Sequence, residues 1–479
     1  MYSEAAYDAA KALMNECMHD RTPHTKCQYS RDTVLPTRVL DLGHNDQFVT
    51  LKVNDSEVHA KYLALSYCWG SPSKDAITLR KNDIQDLVNG VRINTLQQSI
   101  QDAILVTRKL GFRYLWVDAL CIIQDDPKDK SQEISHMASI YKNASITIAA
   151  ACSKAAILGF LSDHRQMQRD YLPDQKFTVA NPGEPIGHVY LTAGAYEPEH
   201  ILDTRGWALQ EFMLSSRMLI FSEYEILWQC QETELRSVTG TGLEYLQPLE
   251  TLPWTAFETG GETYFGHLDS EKLMIWKEFV RQYTERKLTD PRDRLRAILG
   301  VTTELEMLWQ DDNIHGHWRK WFIQLLAWYK LHPDRERAHI LSRAPSWSWA
   351  SLDGEVRYDK ALTREYAKLA VFTVTRIKII CQVLDPESMS EEQRDTIEER
   401  PDLVDLSELD VLASPDAEPQ YLLLGSCTST SGQLEGVGVF VIESKNNTFI
   451  RIGLAIYHDM SIWKDIPMQT INLDAKSAT

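Results

Sequence analysis

The sequence predicts an α/β fold, built on a parallel β-sheet, that leads into a helical middle region and a β-rich C-terminal portion. Three observations carry this expectation. Between residues 62 and 151, apolar runs of strand length alternate with amphipathic stretches of helix length, the order that builds a parallel sheet buried on both faces. Residues 265–332 are dominated by helical spacing. Beyond residue 354, runs rich in β-branched and aromatic side chains take over.

In chain order, residues 1–58 read as a lead-in. YDAAKALMNECM suits a short helix, and LPTRVLDL and FVTLKV suit two short strands around a Gly-His-Asn-Asp turn. An α/β domain follows at 59–230. YLALSY (62–67) is a strand ending at the turn Cys68-Trp69-Gly70-Ser71-Pro72. TLQQSIQDAILVTRKLG (95–111) is an amphipathic helix with Leu96, Ile100, Ile104, Thr107 and Leu110 on one face. Thr95 with Gln98 fits a capping box there, and Gly111 suits the C-terminal cap. YLWVDAL (114–120) is a second buried strand, and DKSQEISHMASIYKNA (129–144) a second helix with Ile134, Met137, Ile140 and Tyr141 inward. SITIAAA (145–151) is a third strand. Residues 152–200 lose the pattern apart from a strand at HVYLTA; then RGWALQEFML reads as a short helix before paired strands RMLIFS and EILWQC.

A mainly helical region is expected at 231–340, with Pro291 at a helix start. A β-rich region is expected at 341–479, interrupted by an acidic, solvated and partly disordered insertion at 385–420. PSWSWAS (345–351) alternates Trp347 and Trp349 with serines, suggesting a strand with one aromatic face that docks the C-terminal region onto the α/β domain.

At 479 residues the chain exceeds one ordinary domain. Its formal charge of −18 argues against nucleic-acid and anionic-membrane partners. The acidic first twenty residues do not read as a secretory leader, and no run approaches the ~18 apolar residues of a membrane span. Eight cysteines are scattered without a C-x-x-C pair, which suggests reduced, buried thiols in a cytoplasmic or nuclear protein and no zinc site. Asp125, Asp126 and Asp129 precede a helix and read as capping and dipole complementarity, so no metal is assigned.

Three blocks resemble the successive motifs of the fungal heterokaryon-incompatibility (HET) domain: YLALSYCWG (62–70), LWVDALCIIQDDPKDKSQEISHMASIYKNASITIAA (115–150) and RGWALQEFMLSSRMLIF (205–221). Ile123 stands where that family usually shows Asn. LTDPRDRLRAILG and RAPSWSWASLDG resemble segments that commonly follow the domain. The resemblance implies a fungal protein of non-self recognition and programmed cell death. More remotely, the W-x-x-x-E of Trp207 to Glu211 is similar to the W-C-x-x-E of Toll/interleukin-1 receptor (TIR) domains, and YLALSYCWG resembles their first strand and loop. That likeness implies a flavodoxin/TIR-like sheet. In NAD-cleaving members of the TIR fold the equivalent glutamate is catalytic, which makes Glu211 the candidate catalytic carboxylate and NAD⁺ a hypothetical substrate, with no tightly bound cofactor.

Two roles stay open for Glu211. As a catalyst it would stabilise positive charge developing on a ribose, with Trp207 one turn away shielding the site or stacking on a ring. As a structural group it would pair with Arg205 or Arg217. Ser66, Tyr67, Cys68, Trp69 and Gly70, together with Asp118, follow strands of the sheet, where open α/β sheets bind ligands. They are the candidate binding residues. Gly70 would admit a phosphate or simply make a tight turn, and Asp118 would hold a ligand hydroxyl, a loop amide or Arg113. Cys68 and Cys121 read as inert thiols, His136 having no evident partner, and TGTGLEY (239–245) matches no nucleotide motif. A non-enzymatic module that binds a protein partner or assembles with itself is the competing class.

Overall fold

The apolar runs at 62–66, 114–116, 146–149 and 217–221 become parallel neighbours in one sheet. The computed structural model describes residues 3–161, 176–190, 200–238, 269–333, 343–403 and 418–474, apart from 19–23, 25–26, 28–32, 44–45, 55–56, 72–75, 182–183, 223–224, 232, 234 and 446–447. It divides into two units, Met1–Trp254 and Thr255–Thr479.

The first unit is built on nine strands: β1 (Arg38–Asp41), β2 (Phe48–Val53), β3 (Tyr62–Ser66), β4 (Val91–Arg92), β5 (Tyr114–Trp116), β6 (Ile146–Ala149), β7 (Arg217–Phe221), β8 (Ile226–Cys230) and β9 (Arg236–Ser237). Their order is β9-β8-β7-β6-β3-β5-β1-β2-β4. The central four, β7-β6-β3-β5, are parallel, while β8, β9, β1, β2 and β4 are added antiparallel at the two sides. The sheet is therefore mixed, where the strand–helix alternation alone suggested a parallel one. The lead-in is part of it, since β1 pairs with β5 through Leu40↔Leu115. Every residue of β3, β6 and β7 is buried, so both faces of the centre are covered.

Four helices matter to the site: α1 (Glu4–Met18), α2 (Gln98–Lys109), α3 (Pro127–Asn143) and α4 (Gly206–Leu214). The expected apolar face of α2 is buried from Leu96 to Leu110, and Gly111 follows it with φ +85°. The capping box is corrected. A 3-10 turn at Ile93–Thr95 intervenes, Thr95 Oγ1 donates to Arg92 O, and the N-cap is Gln97 without a side-chain bond. The second predicted strand is shorter than expected, because Asp118–Cys121 turns into a helical coil straight after β5. At α3, Asp126 caps the N-terminus by accepting from Lys128 N at 3.0 Å. Asp129 receives Arg38 at 2.7 Å and Ile123 N at 2.8 Å. These bonds account for Asp126 and Asp129 without an ion.

The first three residues of the expected HVYLTA strand lie in Glu184–Tyr190, paired antiparallel with Lys176–Asn181, and residues 191–193 lie outside the described residues. TGTGLEY lies outside the described residues. No helix among the described residues is long and apolar enough to cross a membrane.

In the second unit, helices α5 (Asp269–Glu285) and α6 (Leu299–Trp309) precede a β-rich part. Its strands include β10 (Lys368–Thr373), β11 (Arg376–Leu384), β12 (Ile397–Pro401), β13 (Gln420–Thr428), β14 (Leu434–Glu443), β15 (Phe449–Tyr457) and β16 (Met468–Leu473). β11 pairs with both β16 and β13, so β13-β14-β15-β16-β11 closes on itself, with β10 and β12 each added on one side. PSWSWAS is not a strand. It makes turns and a 3-10 segment at Trp349–Ser351 capped by Ser348, with Trp347 and Trp349 buried. Trp347 Nε1 donates to Asp474 O at 2.9 Å, and Trp349 Nε1 to Gly316 O at 3.1 Å, both within this unit. The expected disordered insertion is corrected over 385–403, which holds a 3-10 turn, a helical turn with a capping box at Ser390, and β12 paired to β15. Residues 404–417 lie outside the described residues.

Candidate functional site

β3 delivers Ser66 to the carboxyl edge of the sheet, and α4 brings Glu211 over it. Ser66 Oγ donates a short hydrogen bond to Glu211 Oε2. Both are buried, Glu211 being 5% exposed. Burial pushes the Glu211 carboxyl up from 4.5 to about 7. The charge of Arg205 and the bonds from Ser66 and Tyr141 oppose that rise, whereas Asp118 adds to it. At neutral pH this side chain is poised between acid and carboxylate.

The loop after β3 continues the network. Tyr67 is buried and its hydroxyl meets Asp118; burial and the neighbouring carboxylates hold it well above the usual phenol range. Arg205 donates to Tyr67 O. Cys68 is buried and its thiol is pushed up by burial, as is that of Cys121, to about 12. Neither is an activated nucleophile. Trp69 is exposed on one side and its Nε1 donates to Asp118 Oδ2 at 2.9 Å. Asp118 also accepts from Ala119 N at 2.7 Å, and its carboxyl is raised by burial despite Arg205. The expected Arg113 partner is corrected: Arg113 pairs with Asp41 at 2.7 Å. Gly70 has φ +81°, and a Cβ there would lie 2.5 Å from Ala155 Cβ. The close approach it permits is to the chain's own backbone turn.

Trp207 is half-buried on the first turn of α4. A small cavity of about 20 Å³, room for one or two waters, lies beside Ser66 and is lined by Ala149, His200, Asp203, Ala208 and Phe212 among others. Trp207, Tyr67 and Glu211 itself are not among its walls. His200 Nε2 is 3.0 Å from Ser222 Oγ and its Nδ1 3.5 Å from Asp203. Behind α4, Ser215 Oγ joins Glu211 O to Thr147 Oγ1 at 2.6 Å each, which pins the helix to β6. The cavity lies against α4, with Ser66 and Ala149 at the ends of β3 and β6 and Met218 and Ile220 of β7 among its walls. The chain leaves β3 for β5 on one side and returns to β6 on the other, so this is the topological switch point where open sheets bind ligands.

Of the residues singled out from sequence, Ser66, Tyr67, Cys68, Trp69, Asp118 and Glu211 converge. Arg205 and Tyr141 join them, although their sequence context suggests only an ion-pair partner and a core residue. Arg217 does not reach the site: it is buried with its Nε 3.1 Å from Cys17 Sγ. His136 is exposed on α3.

Three of the scattered cysteines come together with a histidine. Cys17, His24, Cys27 and Cys230 bring their ligand atoms within 4.8 Å of one another, and all four are buried.

Residues 62–211 match the family model described as "Heterokaryon incompatibility protein (HET)". The chain is also similar to "Heterokaryon incompatibility protein 6, OR allele" of Neurospora crassa, 32% identical over 304 residues that cover 52% of this chain and 44% of that protein. It thus spans less than half the length of that relative. No solved structure matches the chain. The matched segment runs from the first residue of β3 to Glu211, the two elements that build the buried network. Residues 62–211 thus form a heterokaryon-incompatibility (HET) domain.

Proposed function

We propose that the chain acts in fungal non-self recognition and the cell death that follows it, and that its HET domain cleaves NAD⁺ at the nicotinamide–ribose bond. The observation that carries this reading is a titratable carboxyl, Glu211, bonded to Ser66, which itself lines a small cavity at the sheet's switch point. Further support comes from the central strand order. Counted from β3, the parallel strands run second, first, third, fourth, as in flavodoxin-like folds.

In the proposed reaction, the bond between ribose C1′ and the pyridinium nitrogen breaks, and its electron pair leaves with neutral nicotinamide. Water adds to C1′ and loses a proton, giving ADP-ribose. Ionised Glu211 stabilises the positive charge that builds on the ribose; one preorganised electrostatic contact of the oxyanion-hole type is worth roughly 3–4 kcal/mol. Arg205 and Ser66 keep the carboxylate accessible as a charge by opposing the desolvation that protonates it. The cavity is too small for a dinucleotide, so cleavage requires α4 or the loop after β3 to open, as assembly would bring about.

A second reading is favoured by one number: at 5% exposure Glu211 is occluded. In that reading the network is a structural lock and the domain is a non-enzymatic module that docks on a partner or on itself. Nicotinamide release from NAD⁺ separates the two, measured on concentrated or crosslinked full-length protein beside Glu211→Gln and Glu211→Ala. Release lost in both variants supports cleavage at Glu211. No release in any assembly state supports the module.

A further inference from the structure

We propose that Cys17, His24, Cys27 and Cys230 form a closed, structural Cys3His zinc site that fastens the N-terminal segment to the sheet. α1 presents Cys17 on its last turn, the segment after it supplies His24 and Cys27, and β8 ends on Cys230. The four are 3%, 6%, 2% and 1% exposed, so no open position remains for substrate.

The spacing fits the ion. Tetrahedral Zn²⁺ with bonds of about 2.3 Å to sulfur and about 2.0 Å to nitrogen sets its nitrogen and sulfur ligands about 3.6 Å apart. His24 Nδ1 lies 3.7 Å from Cys27 Sγ and 3.6 Å from Cys230 Sγ. A disulfide would use two of the three sulfurs and leave a buried thiol and imidazole unexplained, whereas a thiophilic dication uses all four donors. The three cysteines are free.

The surroundings fit as well. Three thiolates on a dication carry one net negative charge. Arg217 on β7, register partner of Cys230, donates to Cys17 Sγ at 3.1 Å, and Thr233 Oγ1 lies 3.1 Å from Cys230 Sγ. Donors on coordinating sulfur are what orient such ligands and balance their charge. Binding releases one proton from each thiol that is protonated beforehand. The ion would close a loop from residue 17 to residue 230, tying α1 to the antiparallel side of the sheet.

The full chain, purified under reducing conditions, is tested by elemental analysis and by cobalt substitution. One zinc per chain is expected, retained in the remote control Cys381→Ser and lost in Cys27→Ser, Cys230→Ser and His24→Ala. Should those variants misfold, the wild-type protein still decides. Its Co²⁺ form should show the strong visible absorption of a tetrahedral site with thiolate-to-cobalt charge transfer, and chelation should lower the unfolding midpoint by roughly 5–10 °C. A chain that takes up no zinc, a weak octahedral cobalt spectrum, or a disulfide between any two of the three cysteines overturns the proposal.

Discussion

Glu211 is the residue on which the account turns, and its protonation makes a stability prediction of its own. The folded protein holds this proton more tightly than the unfolded chain does, since the carboxyl rises from 4.5 to about 7. Stability is therefore fullest below 4.5, falls as pH rises through about 7, and is flat above that. The loss attributable to this group is roughly 3 kcal/mol. Glu211→Gln keeps an oxygen for Ser66 and removes the titration. Denaturant unfolding at pH 5 and pH 8 should show a larger drop for the wild type than for the variant; equal drops would contradict the buried-carboxyl picture. Gly70 offers a second residue-scale test. At φ +81° with Ala155 Cβ 2.5 Å from any added Cβ, Gly70→Ala should cost roughly 1–3 kcal/mol, read by the same unfolding curves.

At the scale of elements, local signals were legible and long-range ones were not. The stripe from Leu96 to Leu110 announced α2, because a helix buries the same face every turn. The apolar runs at β3, β6 and β7 announced strands buried on both faces. Thr95 misled because a 3-10 turn displaced the helix start by two residues. Asp118 was read at a strand end, yet it opens a helical turn that aims its carboxyl back at Trp69. The Cys17, His24, Cys27 and Cys230 cluster escaped for a different reason: His24-x-x-Cys27 is the one short-range hint, and Cys230 arrives only through the fold. The second unit carries its own buried charge. Arg451 on β15 bonds Asp402 at 3.0 Å and donates to Leu326 O and Trp328 O, both ions being essentially unexposed. Arg451→Met should cost roughly 3–5 kcal/mol by stranding Asp402, and much of that should return in the double variant with Asp402→Leu. A double variant no more stable than the single one would show that the arginine acts through its carbonyl contacts instead.

For the whole molecule, the sequence foresaw an α/β domain, helices and a β-rich end, but neither the mixed sheet nor the closed ring of strands. Both depend on which strands meet: β1 comes from the lead-in to lie beside β5, and β11 pairs on two sides. The eight candidate residues are local to strand ends and to one helix; six of them share one network, and only Ser66 lines the cavity at the switch point. What stayed hidden was the setting of Glu211, because the groups that act on its charge, Arg205, Asp118 and Tyr141, come from separate elements. The most direct test of the central claim is the pH profile of nicotinamide release from NAD⁺ by the assembled full-length protein. The account predicts release that rises as pH passes through about 7 and disappears in Glu211→Gln. Release that persists undiminished in Glu211→Gln would contradict it.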